Sequence, residues 1–267
     1  MIPPAIENDL AVWHRKIREM GGTIDGEIIH VDGLTLKNCY LQFPLIVVEN
    51  LYHQNYGLSL RKKSVVIDVG ANAGVSALFL AKNPMIDRVI CFEPLAPIFR
   101  MLQENLDLNR NLSERIEIFN FGLGRSDETF TINYSRDHAM SASVAGIYDR
   151  YYDSVDSKER IHISDAAAVV GDICRRFPDR QLILKMDCEG AEFQILPRLA
   201  ECGLLAGVEA LVVEFHDQKP DVLVDLLHDA GFQSFVEWAR RDINIGMIRS
   251  IRGSQAAVQA VPGLATL

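Results

Sequence analysis

Ten residues, Val65-Val66-Ile67-Asp68-Val69-Gly70-Ala71-Asn72-Ala73-Gly74, restrict the fold more than any other part of the chain. Val65 to Val69 is an apolar run broken only by Asp68, the pattern of a strand covered on both faces. The glycines that follow let the backbone turn tightly and pass close to a ligand, and Val75 to Lys82 then reads as a helix. Strand, glycine turn and helix in that order open a parallel sheet that binds its ligand at the carboxyl ends of the strands.

The same rhythm continues. Arg88 to Glu93, Arg115 to Asn120, Gln181 to Asp187 and Ala210 to His216 read as further strands, with helices at Pro97 to Asn109 and Ala191 to Cys202. Apolar strands alternating with helices predict an α/β fold with a mostly parallel sheet and helices on both faces. Residues 1–63 read differently. They give a helix over Glu7 to Met20, a hairpin over Ile28 to Val31 and Leu34 to Leu36 turned by Asp32-Gly33, and a second helical stretch over Leu45 to Tyr56. We read them as a cap on a main domain of residues 64–252, with 253–267 as a weakly patterned tail. Thr129 to Ser157 begins as a strand and becomes a polar loop, where His138, Met140, Ser141, Ser143, Tyr148, Tyr151 and Tyr152 suit contacts to a polyol.

The turn selects among nucleoside ligands. A pyrophosphate-binding turn follows G-x-G-x-x-G, whereas this one reads Gly-Ala-Asn-Ala-Gly beside the Asp68 carboxylate. A carboxylate suits an ammonium better than a pyrophosphate. Glu93 ends the next strand, where a carboxylate can accept both hydroxyls of a ribose. An ammonium and a ribose without phosphate point to S-adenosylmethionine, and the glycine spacing disfavours a nicotinamide dehydrogenase.

Composition narrows the class. The formal net charge is −9, which argues against nucleic acid as partner. The five cysteines form no CxxC pair, as expected of free thiols in a reducing compartment. No basic start leads into an apolar run, and no stretch is clean enough to span a bilayer, so the expected location is cytoplasmic. The amphipathic N-terminal helix could pack on a second copy in a homo-oligomer.

Five segments, VIDVGANAG, FEPLAPIFRMLQENLDLN, NFGLGRSD, LILKMDCEGAEFQIL and VVEFH, resemble the successive motifs of FkbM-type methyltransferases. The resemblance covers about Val65 to His216. It implies a Rossmann-like class I methyltransferase, with a seven-stranded, mostly parallel sheet closed by an antiparallel pair, here Phe232 to Trp238 and Ile243 to Ile251. It also implies S-adenosylmethionine as methyl donor and a hydroxyl acceptor on a sugar, glycolipid or polyketide-like natural product. Carried onto this chain, Asp68, Gly70, Asn72 and Gly74 would line the methionine part, Glu93 would hold the ribose, Pro94 would pack near the adenine, and Asn120 and Gly122 would border its edge. Ile163-Ser164-Asp165 departs from the family's Thr-Leu-Asp; we read it as a helix start capped by Ser164.

Methyl transfer to an alcohol needs an in-line approach and removal of a proton. Asp187 ends one strand, and Glu214 and His216 end the next with side chains on one side of the sheet. His216, neutral near its unperturbed pKa of about 6.5, is the expected base, with Asp187 orienting it or holding the acceptor. Glu189 and Glu192 read as favourable to a helix dipole. A divalent cation could sit among Asp187, Glu214 and His216, but the paired Asp-Asp/Asn pattern of metal-dependent catechol-type enzymes is missing, so no metal ligand is assigned. Two competing readings are N-methylation of a small amine or peptide, against which DCEG stands where an Asn/Asp-Pro-Pro-Tyr-type motif is wanted, and a cofactor-binding subunit without turnover.

Overall fold

The structure, a computed structural model, describes residues 4–57, 60, 62–134 and 157–253. In chain order the elements are α1 (Pro4–Glu19), β1 (Thr23–Asp25), β2 (Ile28–Val31), β3 (Leu34–Lys37), α2 (Phe43–Val47), β4 (Ser64–Val69), α3 (Val75–Ala81), β5 (Ile86–Phe92), α4 (Ala96–Leu108), α5 (Arg110–Ser113), β6 (Ile116–Phe119), β7 (Gly122–Gly124), β8 (Glu128–Tyr134), β9 (Ser157–Asp165), α6 (Ala166–Arg176), β10 (Gln181–Asp187), α7 (Glu192–Glu201), β11 (Val208–Phe215), α8 (Asp221–Asp229), β12 (Phe232–Arg240) and β13 (Ile245–Arg252). A single π-helical turn, Val48–Tyr52, continues α2, so the second helical stretch expected over Leu45 to Tyr56 is shorter and changes its winding midway.

Seven strands form the central sheet in the order β12-β13-β11-β10-β4-β5-β6. Strands β11, β10, β4, β5 and β6 are parallel, and β13 runs antiparallel to both its neighbours. The sheet is therefore mostly, not purely, parallel, which is the Rossmann-like arrangement with the closing antiparallel strands. The chain leaves β4 for β5 and β6 on one side, then returns to β10 and β11 on the other. The order reverses beside β4, and in open α/β sheets that reversal opens the crevice where ligands sit.

Alternation along the strands divides the core. Val66, Val89, Cys91 and Ile183 pack with Leu78 of α3 and Ile98 and Leu102 of α4. Val65, Ile67, Ile90, Leu184 and Val213 point to the other face, against Val170 of α6, Ile195 of α7 and Leu223 of α8. The N-terminal elements share the first of these cores: Ile17, Ile29, Leu36, Phe43 and Val47 cluster with Val66 and Leu78. Two buried asparagines, Asn105 in α4 and Asn109 at its C-cap, replace the missing neighbour of edge strand β3. Asn105 Oδ1 accepts from Lys37 N (2.7 Å), Asn109 Oδ1 accepts from Thr35 N (3.0 Å), and Asn109 Nδ2 donates to Thr35 O (2.6 Å).

One expectation is corrected. Ser164 is not a helix cap; it lies inside β9, which pairs antiparallel with β8 and parallel with β7. The cap of α6 is Asp165, whose Oδ1 accepts from Ala167 N at 2.9 Å. Ile161 and Ile163 alternate with His162 along β9, so the segment is a half-buried strand. The loop residues His138 to Tyr152 and the tail from 254 lie outside the described residues.

Candidate functional site

The glycine turn after β4 is pinned from both sides. Gly70 N and Ala71 N donate to Phe92 O at 3.0 and 3.1 Å. Gly70 has φ +79°, and a Cβ there would lie 1.8 Å from the Asp187 carbonyl oxygen of β10. Asn72, at φ +50°, accepts on Oδ1 from Ala73 N (2.7 Å) and from the Tyr40 hydroxyl (2.6 Å), an arrangement that offsets its left-handed backbone.

Beneath the turn lies a buried ion pair. Asp68 is 0% exposed and sits opposite Lys185 in the β4/β10 register. Lys185 Nζ is 2.9 Å from Asp68 Oδ1 and donates to Gly70 O at 2.8 Å, while Ser76 Oγ donates to Asp68 Oδ2 at 2.8 Å. The ammonium also lies over the Tyr56 ring, 4.8 Å from its centroid. Burial works against the Lys185 charge, but the Asp68 and Asp187 carboxylates outweigh it and hold the pKa above the usual lysine value.

In front of the turn is a cleft lined by Gly70, Asn72, Glu93, Pro94, Gly122 and Asp187. Ile132, Ile161 and Ile163 of β8 and β9 give it an apolar wall. Glu93 Oε2 accepts from Asn72 N (3.0 Å) and Oε1 from Leu95 N (2.9 Å), leaving lone pairs on both oxygens. Burial pushes its pKa up to about 7, against those two N–H donors, which favour the ionised form.

A second cleft adjoins the first and shares Gly70, Asn72, Asp187 and Glu189 with it. Its other walls carry Glu49, Tyr56, Lys185, Glu214, His216 and Arg240. Tyr56 Oη lies 3.0 Å from Asp187 Oδ2 and 3.1 Å from Glu214 Oε2. The one hydroxyl hydrogen is shared between the two carboxylates. Burial and the Asp187 charge push Glu214 up to about 7, against His216 and Tyr56. His216 is 8% exposed; Nε2 faces Glu189 Oε2 (3.7 Å), Asp187 Oδ1 (4.0 Å) and Glu214 Oε1 (4.0 Å), and Nδ1 faces Glu192 Oε1 (3.6 Å).

The family follows from residues 68–234, which match the model described as the methyltransferase FkbM domain. The chain belongs to the FkbM methyltransferase family. The matched segment is a methyltransferase domain. Among curated relatives, the AMB antimetabolite synthetase AmbE of Pseudomonas aeruginosa is 29% identical over 76% of this chain; the chain spans 11% of that protein's length. Methyltransferase 1 of Beauveria bassiana is 27% identical over 69% of this chain and 80% of its own. A solved structure of methyltransferase FkbM from Methylobacillus flagellatus covers 92% of this chain and 60% of that one, at 16% identity and a TM-score of 0.49.

Within this FkbM-family fold the sequence-derived residues part into two groups. Gly70, Asn72, Glu93, Pro94, Gly122 and Asp187 come together around the first cleft, and Asp187, Glu214 and His216 converge in the second. Asp68 does not reach either cleft; its carboxylate is spent on Lys185 and Ser76. Gly74 also stands back, packed toward α4, where a Cβ would meet Leu102 Cδ1 at 2.4 Å. Asn120 braces the β5–α4 turn by donating to Glu93 O (2.9 Å) and Pro94 O (3.2 Å). His216 is expected as the base; burial lowers its pKa, but the Glu189, Glu192 and Glu214 carboxylates outweigh burial and hold it well above the usual histidine value. Sequence reasoning missed Tyr56, Lys185 and Glu49. It also undervalued Glu192, which is 0% exposed and accepts from His216 N (2.8 Å) and Gly190 N (3.0 Å).

Proposed function

We propose that the enzyme transfers the methyl group of S-adenosylmethionine to a hydroxyl oxygen of a sugar-containing or natural-product acceptor, polyketide-like or glycolipid-like. The observation that carries this reading is the junction of two clefts at Gly70, Asn72, Asp187 and Glu189. The cofactor would occupy the first, its ribose on Glu93, its adenine beside Pro94 and Gly122. Its sulfonium methyl would then face the second, where Asp187 and Glu214 stand to receive the acceptor proton. Asp68 and Gly74 would act from behind, by fixing the shape of the turn. The similarity to a synthetase of an antimetabolite favours a small acceptor. No helix among the described residues is long and apolar enough to cross a membrane.

The test is transfer of labelled methyl to a panel of hydroxylated acceptors, with the product's methyl position assigned by NMR. Glu214→Gln should lower kcat by about 10²- to 10⁴-fold, the usual share of an acid–base group, with S-adenosylhomocysteine affinity little changed. Methyl found on nitrogen would replace this reading by the second one, N-methylation of an amine. The acidic walls of the second cleft (Glu49, Asp187, Glu189 and Glu214) are the observation that favours it.

Cofactor affinity should also depend on pH. Free Glu93 holds its proton up to about pH 7, whereas an unfolded chain releases it near 4.5. Its raised pKa therefore adds stability below pH 4.5, and that contribution is lost as pH rises through 7. Ribose hydroxyls donate to the ionised form, so affinity has the opposite slope. Titration with S-adenosylhomocysteine should give a level Kd above pH 7 and a Kd rising about tenfold per unit below it, a slope that Glu93→Gln removes.

A further inference from the structure

We propose that Asp187, Glu189 and His216 form a binding site for one divalent metal ion at the floor of the second cleft, with Glu192 orienting the imidazole from behind. One donor atom from each of the three residues lies within 4.8 Å of the other two. Around an ion at about 2.0–2.3 Å, donors stand about 3 to 4.6 Å apart, so a few tenths of an ångström of contraction closes the set. Acidic clusters are common without metal, and the carboxylates alone would not carry the assignment. The histidine does. Its side chain is 92% buried, its ring nitrogens stand 3.6–4.0 Å from the carboxylates around them, and Nδ1 is unsatisfied. Nε2 is aimed at Glu189 Oε2 (3.7 Å) and Asp187 Oδ1 (4.0 Å), as a ligand pointing into an open position would be.

The surroundings fit. A metal-bound histidine commonly gives its other ring N–H to a carboxylate, and Nδ1 sits 3.6 Å from the fully buried Glu192. Glu192 is itself fixed by His216 N and Gly190 N, so the ring is held at its backbone end as well. Lys185, a buried cation that lines the same cleft, is committed to Asp68 and Gly70. Cys188, the neighbouring thiol, is turned to Glu192 at 3.4 Å, which leaves a mixed oxygen and nitrogen set of the kind that takes Mn²⁺ or Zn²⁺. Glu189 reaches the cluster from a left-handed backbone, φ +54°, that a Glu rarely adopts. Glu214 stays outside the ligand set, free to act on the acceptor.

This site deepens the reading proposed above, in which a cation beside the acceptor hydroxyl would favour its ionisation. Its test does not depend on that reading. Chelator-treated protein is titrated with Mn²⁺ alone and followed by electron paramagnetic resonance and calorimetry, and S-adenosylhomocysteine is titrated into the same samples. One Mn²⁺ per chain is expected, weakened at least about 10- to 100-fold in His216→Gln and in Glu189→Gln, and unchanged in Glu93→Gln. Glu189→Gln keeps the size of a part-exposed side chain and guards against a folding failure of the more buried His216 variant. No Mn²⁺ bound by the wild type, or equal binding by wild type and both site variants, overturns the metal site. S-adenosylhomocysteine binding beside absent Mn²⁺ removes the metal and keeps the cofactor reading; the converse removes the cofactor reading and keeps the metal.

Discussion

Lys185→Met is expected to destabilise the fold by about 3–5 kcal/mol, the usual cost of leaving one member of a buried ion pair without its partner. Asp68 is 0% exposed and Lys185 3%, so neither side chain can reach water when the other is gone. At this chain length that loss lowers Tm by roughly 6–20 °C. The methionine keeps most of the volume, so a cavity does not account for the effect. Asp68→Leu combined with Lys185→Met should recover much of the stability, because a buried pair replaced by apolar groups of similar size is often neutral. The double variant should not recover cofactor affinity, since Gly70 O still lacks the Lys185 donor that holds the turn. Thermal melts and S-adenosylhomocysteine titrations of the three proteins separate these contributions. A single Lys185→Met variant that melts with the wild type would show that the pair does not hold the turn.

Both members of that pair were open to sequence reasoning. QLILKM and VVIDV are buried parallel strands with one charge each, and a lone charge inside such a strand demands a partner. The two strands lie side by side with Lys185 opposite Asp68, so Asp68, read as a ligand-facing carboxylate, answers to Lys185 instead. The central fold was legible because continuous apolar strands alternate with helices from Ser64 onward, and the order β4, glycine turn, α3 leaves little choice. β9 was not: Ile161 and Ile163 give only two inward positions beside a long polar segment, too short a period-2 signal to set against a helix start. Tyr56 and Glu49 come from the N-terminal region. Tyr56 meets Asp187 across 131 positions of sequence and Glu214 across 158, and no local pattern announces such a contact. His216 was placed correctly at its strand end. Its charge depends on Glu189 and Glu192, which reach it from the turn and helix after β10, and no pattern local to β11 announces them.

Gly70→Ala is expected to abolish measurable cofactor binding, with a loss of at least about 100-fold, the effect of displacing a site by an ångström. Two costs are combined at this position. The backbone has φ +79°, a conformation that costs a residue with a Cβ roughly 1–2 kcal/mol. In addition, the new Cβ would lie 1.8 Å from Asp187 O and 2.8 Å from Asp187 C, both backbone atoms of β10 that cannot rotate away. The turn must move off β10, and Gly70, Asn72 and Asp187 line the same cleft, so its shape moves with them. Gly203 supplies the control. It has φ +68°, but a Cβ there meets nothing within 4 Å. Gly203→Ala should therefore cost only the conformational part, leaving S-adenosylhomocysteine affinity unchanged while lowering Tm by a few degrees. If both variants bound the ligand like the wild type, the close approach of the turn to β10 would not shape the cofactor site. If both lost binding equally, backbone conformation at a distance, not the contact with Asp187, would be the cause. Loss confined to Gly70→Ala assigns the effect to the crossing of the glycine turn over the end of β10, where the two clefts meet.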